Sequence, residues 1–109
     1  PHIAPVWFES QGDHALVMTS RSSAKVRNLR HNSTATLSIA TGQRPYWYIN
    51  LEGEGNIIED DLAEVITRIC IHYDGPTAGA TFAKELLDDG NMVIIDIMVN
   101  RVVSWTSDR

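Results

Sequence analysis

The chain opens with two runs of β-branched, aromatic and aliphatic residues separated by a polar stretch. Residues 2–9 form the first run, residues 10–13 are polar or glycine, and residues 15–19 form the second. Two such runs around a short turn predict a β-hairpin. Pro5 has no N–H to give to a strand ladder, so we expect the first strand at a sheet edge, bulged, or interrupted beside a ligand.

A short helix is predicted next. Ser22 and Ser23 precede the segment Ala24–His31, and either serine is a suitable N-cap because its hydroxyl oxygen can accept a hydrogen bond from a first-turn amide. Asn32 follows directly and is suited to closing the helix. The segment therefore predicts two turns of helix immediately after the hairpin.

Two further strands are predicted before the middle of the chain. Thr34–Ala40 and Tyr46–Ile58 have the composition of strands, and residues 41–45 between them read as a turn. Gly53 and Gly55 interrupt the longer strand. Glycine inside a strand indicates a bulge or a close backbone approach, so we expect one of these at that point.

The second half of the chain has helical periodicity followed by an apolar strand. The acidic residues 59–61 suit the positive end of a helix dipole, so a helix is expected to start there and run to about Tyr73. Asp74, Gly75 and Pro76 should break it. The remaining predicted elements are a short helix over residues 81–88 and strands over residues 92–99 and 101–106.

This order of elements predicts a mainly β fold. Strands and helices do not alternate as in a doubly wound fold, and six or so antiparallel strands with two to three short helices fit a small Greek-key-like barrel. The 109 residues suffice for one domain, spanning 1–109. So small a core buries only about 60 to 70% of the unfolded surface, so a homodimer is expected.

Composition excludes several classes of protein. Cys70 is the single cysteine, which rules out an internal disulfide and a cysteine-rich zinc site. The four histidines have no metal-ligand spacing, no serine lies in a nucleophile motif, and no metal is expected. No apolar run reaches the roughly 18 to 20 residues of a membrane span. We expect a cytoplasmic protein without a membrane partner.

The charge is distributed unevenly. The net charge is −5, which argues against a nucleic-acid binder, yet residues 14–51 contain no Asp or Glu. The five bases in that acid-free segment are Arg21, Lys25, Arg27, Arg30 and Arg44. A solvated surface normally mixes charges of both signs, so an anionic ligand is indicated.

A hydroxyl-rich stretch in that segment has the components of a phosphate site. Thr19, Ser20, Ser22 and Ser23 supply hydroxyls, the predicted helix supplies free amides at its start, and Lys25 supplies a cation. A capping role alone would account for Ser22 or Ser23. It would not account for the hydroxyls together with the lysine, so we favour the phosphate interpretation.

Three aromatic residues lie near the end of the acid-free segment. Because strand residues alternate between faces, Trp47 points away from Tyr46 and Tyr48. One face could pack in the core and the other could stack on a flat ring; packing is the simpler interpretation. With no evident acid, base or nucleophile, the catalytic residues are unknown, and any chemistry would belong to a cofactor.

Several segments together resemble a known family, the pyridoxamine 5'-phosphate oxidase-like FMN-binding split β-barrel proteins. Within it they are most similar to the branch of deazaflavin (F420)-dependent oxidoreductases. The resemblance spans nearly the whole chain, and the Ser-Ala-Lys-x-Arg-Asn-Leu run is its most specific part. The segments that carry it are residues 1–8, 18–19, 23–29, 51–53 and 101–105.

The resemblance implies a homodimeric split barrel with two cofactor sites at the subunit interface. A protein of this kind would bind F420, or alternatively FMN, and transfer a hydride to an unsaturated small-molecule substrate. It places Pro5, Val6 and Trp7 beside the ring, and Arg44, Tyr46 and Trp47 near it from the partner subunit. The residues implied around the phosphate and cofactor chain are Thr19, Ser20, Ser23, Ala24, Lys25 and Asn28.

Three departures from the family pattern narrow these expectations. Ala24 stands where pyridoxamine phosphate oxidases carry an arginine, and their basic C-terminal motif is missing. Pyridoxal phosphate synthesis is therefore not expected. The third departure is at the start of the sequence, which begins at Pro1 without the strand that family members place before the Pro-His stretch. A non-catalytic protein that binds the same cofactor is the alternative from another class, and oligonucleotide binding ranks last.

Overall fold

The computed structural model describes residues 7–40 and 46–107, which form five strands and three helices. The strands are β1 (Trp7–Gln11), β2 (His14–Ser20), β3 (Thr34–Ala40), β4 (Tyr46–Ile58) and β5 (Met92–Ser107). The helices are α1 (Ala24–His31), α2 (Ala63–Asp74) and α3 (Pro76–Asp89). The mainly β class with three short helices is confirmed. Closure into a split barrel and the homodimer stay predictions.

The strands form one antiparallel sheet in the order β1-β2-β5-β4-β3. The predicted hairpin is confirmed, but its turn is shorter than the expected residues 10–13. Gln11 pairs with His14 across two residues, and Gly12 has a φ of +57°. Residues 92–99 and 101–106, predicted as separate strands, belong to the single strand β5. It pairs with β4 from Tyr46 opposite Ser107 to Ile58 opposite Ile94.

The bulge expected near the two glycines of β4 is confirmed. Glu52 pairs with Arg101 and Gly53 with Val99, which leaves Asn100 as an extra residue on β5. A side chain at Gly53 would overlap the carbonyl oxygen of Met98. Gly53 therefore lets the two long strands approach at the point where their register shifts.

Each face of the sheet carries its own apolar core. On one face α1 buries Val26 against β2, β3 and β5, including Val17, Leu37 and Ile95. On the other face α2 and α3 cover a second cluster, whose buried members are Leu16, Ile66, Ile69, Cys70, Ala83 and Ile94. The first half of β5 is apolar at nearly every position because both of its faces are covered.

Helix α1 has the predicted bounds and caps. The Ser23 hydroxyl accepts a hydrogen bond from the Val26 amide at 3.3 Å, and the Asn32 amide donates to the Asn28 carbonyl at 2.9 Å. Ser23, one of the two candidates, is thus the N-cap. Its interaction satisfies one of the first-turn amides that would otherwise lack a partner.

The Ser23 cap yields a first testable prediction. We expect Ser23→Ala to lower the free energy of unfolding by about 1 kcal/mol, the usual cost of losing an N-cap hydroxyl. Urea denaturation measures the change. The matched control is Ser22→Ala, which removes the neighbouring exposed hydroxyl and should cost less than about 0.5 kcal/mol. Equal losses in the two variants would contradict the capping role.

The bounds of the other two helices differ from the prediction. Residues 59–61 precede α2 rather than open it; Asp61 has a φ of +57°, and Leu62 is the N-cap residue without a side-chain cap. Helix α3 starts at Pro76 rather than residue 81, because proline fits the first helical turn, where no intrahelical N–H is needed. No helix of the described residues has the length and apolar character needed to cross a bilayer.

Helices α2 and α3 approach closely at Gly79 and bury Cys70 between them and the sheet. A side chain at Gly79 would lie 2.6 Å from the Ile71 Cα, so only glycine allows this approach. Burial raises the pKa of the Cys70 thiol, and the nearby Asp74 carboxylate adds to the rise. The thiol is therefore protonated and shielded in the folded protein.

This raised pKa makes stability depend on alkaline pH. The Cys70 contribution is fully present below the unfolded thiol's pKa of about 8.5, and it is lost as the pH rises through the higher pKa of the folded thiol. We expect the free energy of unfolding to fall more steeply above pH 8.5 in the native protein than in Cys70→Ala. Urea denaturation at several pH values measures both slopes, and parallel curves would contradict the prediction.

Candidate functional site

A cavity of about 260 Å³ lies between α1 and the sheet. Its lining combines apolar residues of the sheet with residues of α1 and of the edge strand β3. Val17, Leu37, Ile95 and Ile97 are buried members of the core beneath α1. The polar lining residues are Lys25, Asn28, Thr34 and Thr36. The site therefore offers an apolar surface next to cationic and neutral hydrogen-bonding groups.

Helix α1 places its two polar lining residues on one side. Lys25 and Asn28 are three residues apart and so lie on the same helix face. Val26 and Leu29 pack against the core, which fixes the rotation of the helix on the sheet. Lys25 is exposed and forms no ion pair with an acid of the described residues. Its ammonium group is thus available to an anionic ligand.

The other cations of the acid-free segment do not join Lys25. Glu59, just after β4, accepts from Arg21 Nη1 at 2.5 Å and lies 3.6 Å from Arg30 Nη2. Arg27 Nη1 donates to the Ser22 carbonyl at 2.7 Å. Because Arg30 is five residues from Lys25, it projects from the opposite flank of α1, away from the cavity. Glu59 thus neutralises part of the positive charge of the acid-free segment.

The serine hydroxyls predicted around a phosphate form hydrogen bonds within the protein, near the connection between β2 and α1. Ser20 Oγ lies 3.1 Å from Ser22 Oγ and accepts from Asn91 Nδ2 at 3.1 Å. Ser23 caps the helix, Thr19 is half-buried at the end of β2, and Ala24 is exposed. These residues are adjacent to Lys25 along the chain. Of the six predicted phosphate-site residues, the structure brings only Lys25 and Asn28 into the cavity lining.

Trp7, predicted beside a cofactor ring, lies on the other face of the sheet. It pairs with Met18 and stacks on Tyr73 with ring centroids 4.8 Å apart and an interplanar angle of 9°. Phe82 meets it edge-on. The phenol of Tyr73 also hydrogen-bonds the backbone of Phe8, which fastens β1 to α2. Trp7 therefore packs against the core beneath α2 and α3.

Five predicted site residues lie outside the described residues or are described only by their backbone. Pro5, Val6 and Arg44 lie outside the described residues. Tyr46 and Trp47 belong to β4, where only their backbone is described. Their proximity to a cofactor stays a prediction.

Thr34 and Thr36 are lining residues that the sequence analysis did not single out. Their strand was predicted with its observed bounds, but nothing in a strand pattern tells which helix lies beside it. The signal that could have found them is the short connection between α1 and β3. Because consecutive elements joined by a short connection usually lie side by side, β3 was a candidate neighbour of Lys25. Thr34 is held at that connection by its amide, which donates to Asn32 Oδ1 at 3.1 Å.

Two other hollows are less suited to an anionic ligand. One of about 370 Å³ lies by the β1–β2 turn, and its cation Arg101 faces Glu52 at 3.9 Å. Another, of about 200 Å³, is lined by His14 and Asp96, whose Nδ1 and Oδ1 atoms are 2.7 Å apart. Within residues 7–40 and 46–107, no three His, Cys, Asp or Glu side chains converge to hold a metal ion.

Comparison with known proteins identifies the fold. No family model and no curated protein matches the sequence. Among solved structures, the conserved hypothetical protein Rv2991 from Mycobacterium tuberculosis has a TM-score of 0.67 at 21% identity, covering 97% of this chain and 69% of that one. A protein named F420 reductase has a TM-score of 0.63 at 21% identity, covering 89% and 74%.

A FAD-binding protein, mll6688 from Mesorhizobium loti, is also similar. Its TM-score is 0.53 at 15% identity, and the match covers 95% of this chain and 73% of that one. Identities this low establish shared architecture and not shared chemistry. The chain therefore has a fold that is also found in proteins named for F420 reduction and for flavin binding.

Proposed function

We propose that this chain binds a phosphate-bearing cofactor of the flavin type, preferentially F420, and serves as an oxidoreductase. The observation that carries the proposal is Lys25, a cation without a described acidic partner at the edge of a cavity with an apolar floor. Such a pairing suits a ligand with one anionic end and one flat apolar end. The resemblance to F420-dependent oxidoreductases and the named structural neighbours support the same class.

The size of the cavity decides how much of the cofactor it would hold. Pockets for whole ligands usually measure about 300 to 1,000 Å³, and this one measures about 260 Å³. It is therefore suited to the phosphate and adjoining chain, with the ring extending beyond it. A second copy of the chain would complete the site, and Arg44, Tyr46 and Trp47 would be contributed by that copy.

Lys25, Asn28 and the apolar lining residues have distinct roles in this proposal. Lys25 supplies a positive charge to the phosphate, and the Asn28 amide donates a neutral hydrogen bond to the cofactor chain. A ligand seated on the apolar residues would exclude water from the cavity, which would strengthen both interactions. The cofactor itself would supply the hydride for an unsaturated small-molecule substrate. The protein's contribution is binding and orientation, since the described lining holds no acid, histidine, cysteine or tyrosine.

Direct titration tests the proposal. We expect the purified protein to change the absorption and fluorescence of F420 on binding, and to bind FMN more weakly. Tighter binding of FMN would show that FMN, and not F420, is the preferred cofactor. Failure to bind either compound would overturn the proposal. Turnover of enones and quinones with reduced F420 then separates an oxidoreductase from a protein that only binds the cofactor.

A further inference from the structure

Gly55 lies directly beneath α1, at the place where the helix rests on the sheet. A side-chain carbon built there would lie 2.7 Å from Leu29 Cδ2 and 2.9 Å from the Cβ of Ala35. Real side-chain carbons do not approach this closely, because a protein interior is already packed to the density of a crystal. The bare backbone of β4 therefore leaves the space that the Leu29 side chain of α1 and the Ala35 methyl group of β3 occupy.

The two residues nearest to Gly55 also belong to the cavity. Leu29 and Ala35 both line it, one from α1 and the other from β3. The Gly55 amide donates to the Ser33 carbonyl at 2.6 Å, which ties β4 to the connection between those two elements. Gly55 is thus in contact with the helix, the strand and the connection that together bound the polar side of the site.

We propose that Gly55 is a positioning residue: its missing side chain sets the depth of α1 on the sheet, and thereby the place of Lys25 at the cavity. The inference rests on the proposed function for its ligand, but its structural part does not. Leu29 transmits the effect, since it lies on α1 one turn after Lys25 and would be the first group of the helix displaced by a methyl group at position 55.

Gly53 provides a contrast on the same strand. The three atoms nearest to a side-chain carbon built there all belong to the backbone of Met98 and Val99 on β5. Its role is in the register of the sheet. Gly55 instead meets the side chain of a helix residue, so a substitution at Gly55 can be compensated by shortening that side chain.

The test combines one disruptive variant with two possible rescues. We expect Gly55→Ala to weaken binding of F420 or FMN about tenfold by displacing Lys25, because small misplacements of a binding group have large effects. Adding Leu29→Val should restore most of the affinity. Adding Ala35→Gly, which returns the original volume on the strand side alone, should not. Thermal denaturation of each variant confirms that it remains folded.

A second measurement is independent of any ligand. Amide chemical shifts of the ligand-free protein should move over α1 in Gly55→Ala and return in Gly55→Ala/Leu29→Val. If neither cofactor binds the native protein, the proposed function fails while these shifts still decide the positioning role. Unchanged α1 shifts and affinity in Gly55→Ala would overturn the inference, as would rescue by Ala35→Gly but not by Leu29→Val.

Discussion

Replacing Lys25 by alanine should weaken cofactor binding by about 1.5 to 3 kcal/mol, or roughly 10- to 150-fold in Kd. This is the usual range for a hydrogen bond to a charged group, and Lys25 is the cation that lines the cavity within the described residues. The loss should appear in a fluorescence titration with F420 or FMN. It should also reduce the dependence of Kd on salt, since one screened charge interaction is removed.

Arg30→Ala is the matched control for Lys25→Ala. Both substitutions remove one positive charge from α1, but Arg30 projects from the other flank, where Glu59 lies 3.6 Å from its guanidinium. A general attraction of anions to the basic segment would be weakened equally by either change. We expect Arg30→Ala to change Kd less than about threefold, since Arg30 is not among the residues that line the cavity. Equal losses would contradict a local phosphate site, and unchanged binding in Lys25→Ala would remove that residue from it.

The elements with strong local signals were predicted to the residue. Ala24–His31 has serine at its start and asparagine at its end, and these caps act within one turn of the helix, so the sequence suffices to locate both ends. Thr34–Ala40 and Tyr46–Ile58 likewise have the predicted bounds. The bulge at Gly53 was indicated because glycine interrupts an otherwise β-rich run.

The errors arose where local signals competed. Acidic residues 59–61 suit a helix start, yet the chain passes through a left-handed conformation at Asp61 and α2 starts at Ala63. Gly79 has a low helix propensity, and α3 was predicted to start only after it, at residue 81. Tertiary packing overrides that preference, because close approach of α3 to the backbone at Cys70 and Ile71 requires glycine.

The candidate site was only partly predictable, because contacts between residues distant in sequence decide which residues line it. The basic segment indicated an anionic ligand, but the sequence could not reveal that Glu59 pairs with Arg21, 38 residues away. Glu59 thus occupies Arg21 and lies near Arg30, whereas Lys25 has no acidic partner among the described residues. Nor could a strand pattern show that β3 is next to β4 at the end of the sheet, which determines the neighbours of α1.

Gly53→Ala should be the most destabilising single substitution considered, lowering the free energy of unfolding by about 3 kcal/mol or more. Overpacking a well-packed interior usually costs about 1 to 3 kcal/mol when side chains can move aside. Here the added methyl group would overlap the Met98 carbonyl oxygen and lie 2.7 Å from its carbonyl carbon. Backbone atoms of a central strand pair cannot move without breaking ladder hydrogen bonds, so the cost lies at the upper end.

A neighbouring substitution shows whether the loss comes from this close approach. Glu54→Ala alters the next residue of β4, which is exposed, and should cost less than about 0.5 kcal/mol. Urea denaturation of both variants gives the comparison. Because β4 and β5 form the centre of the sheet, Gly53→Ala should also accelerate amide hydrogen exchange on both strands around the bulge. A loss in Gly53→Ala no larger than that in Glu54→Ala would mean that the strands can separate at the bulge without penalty, contrary to the packing described.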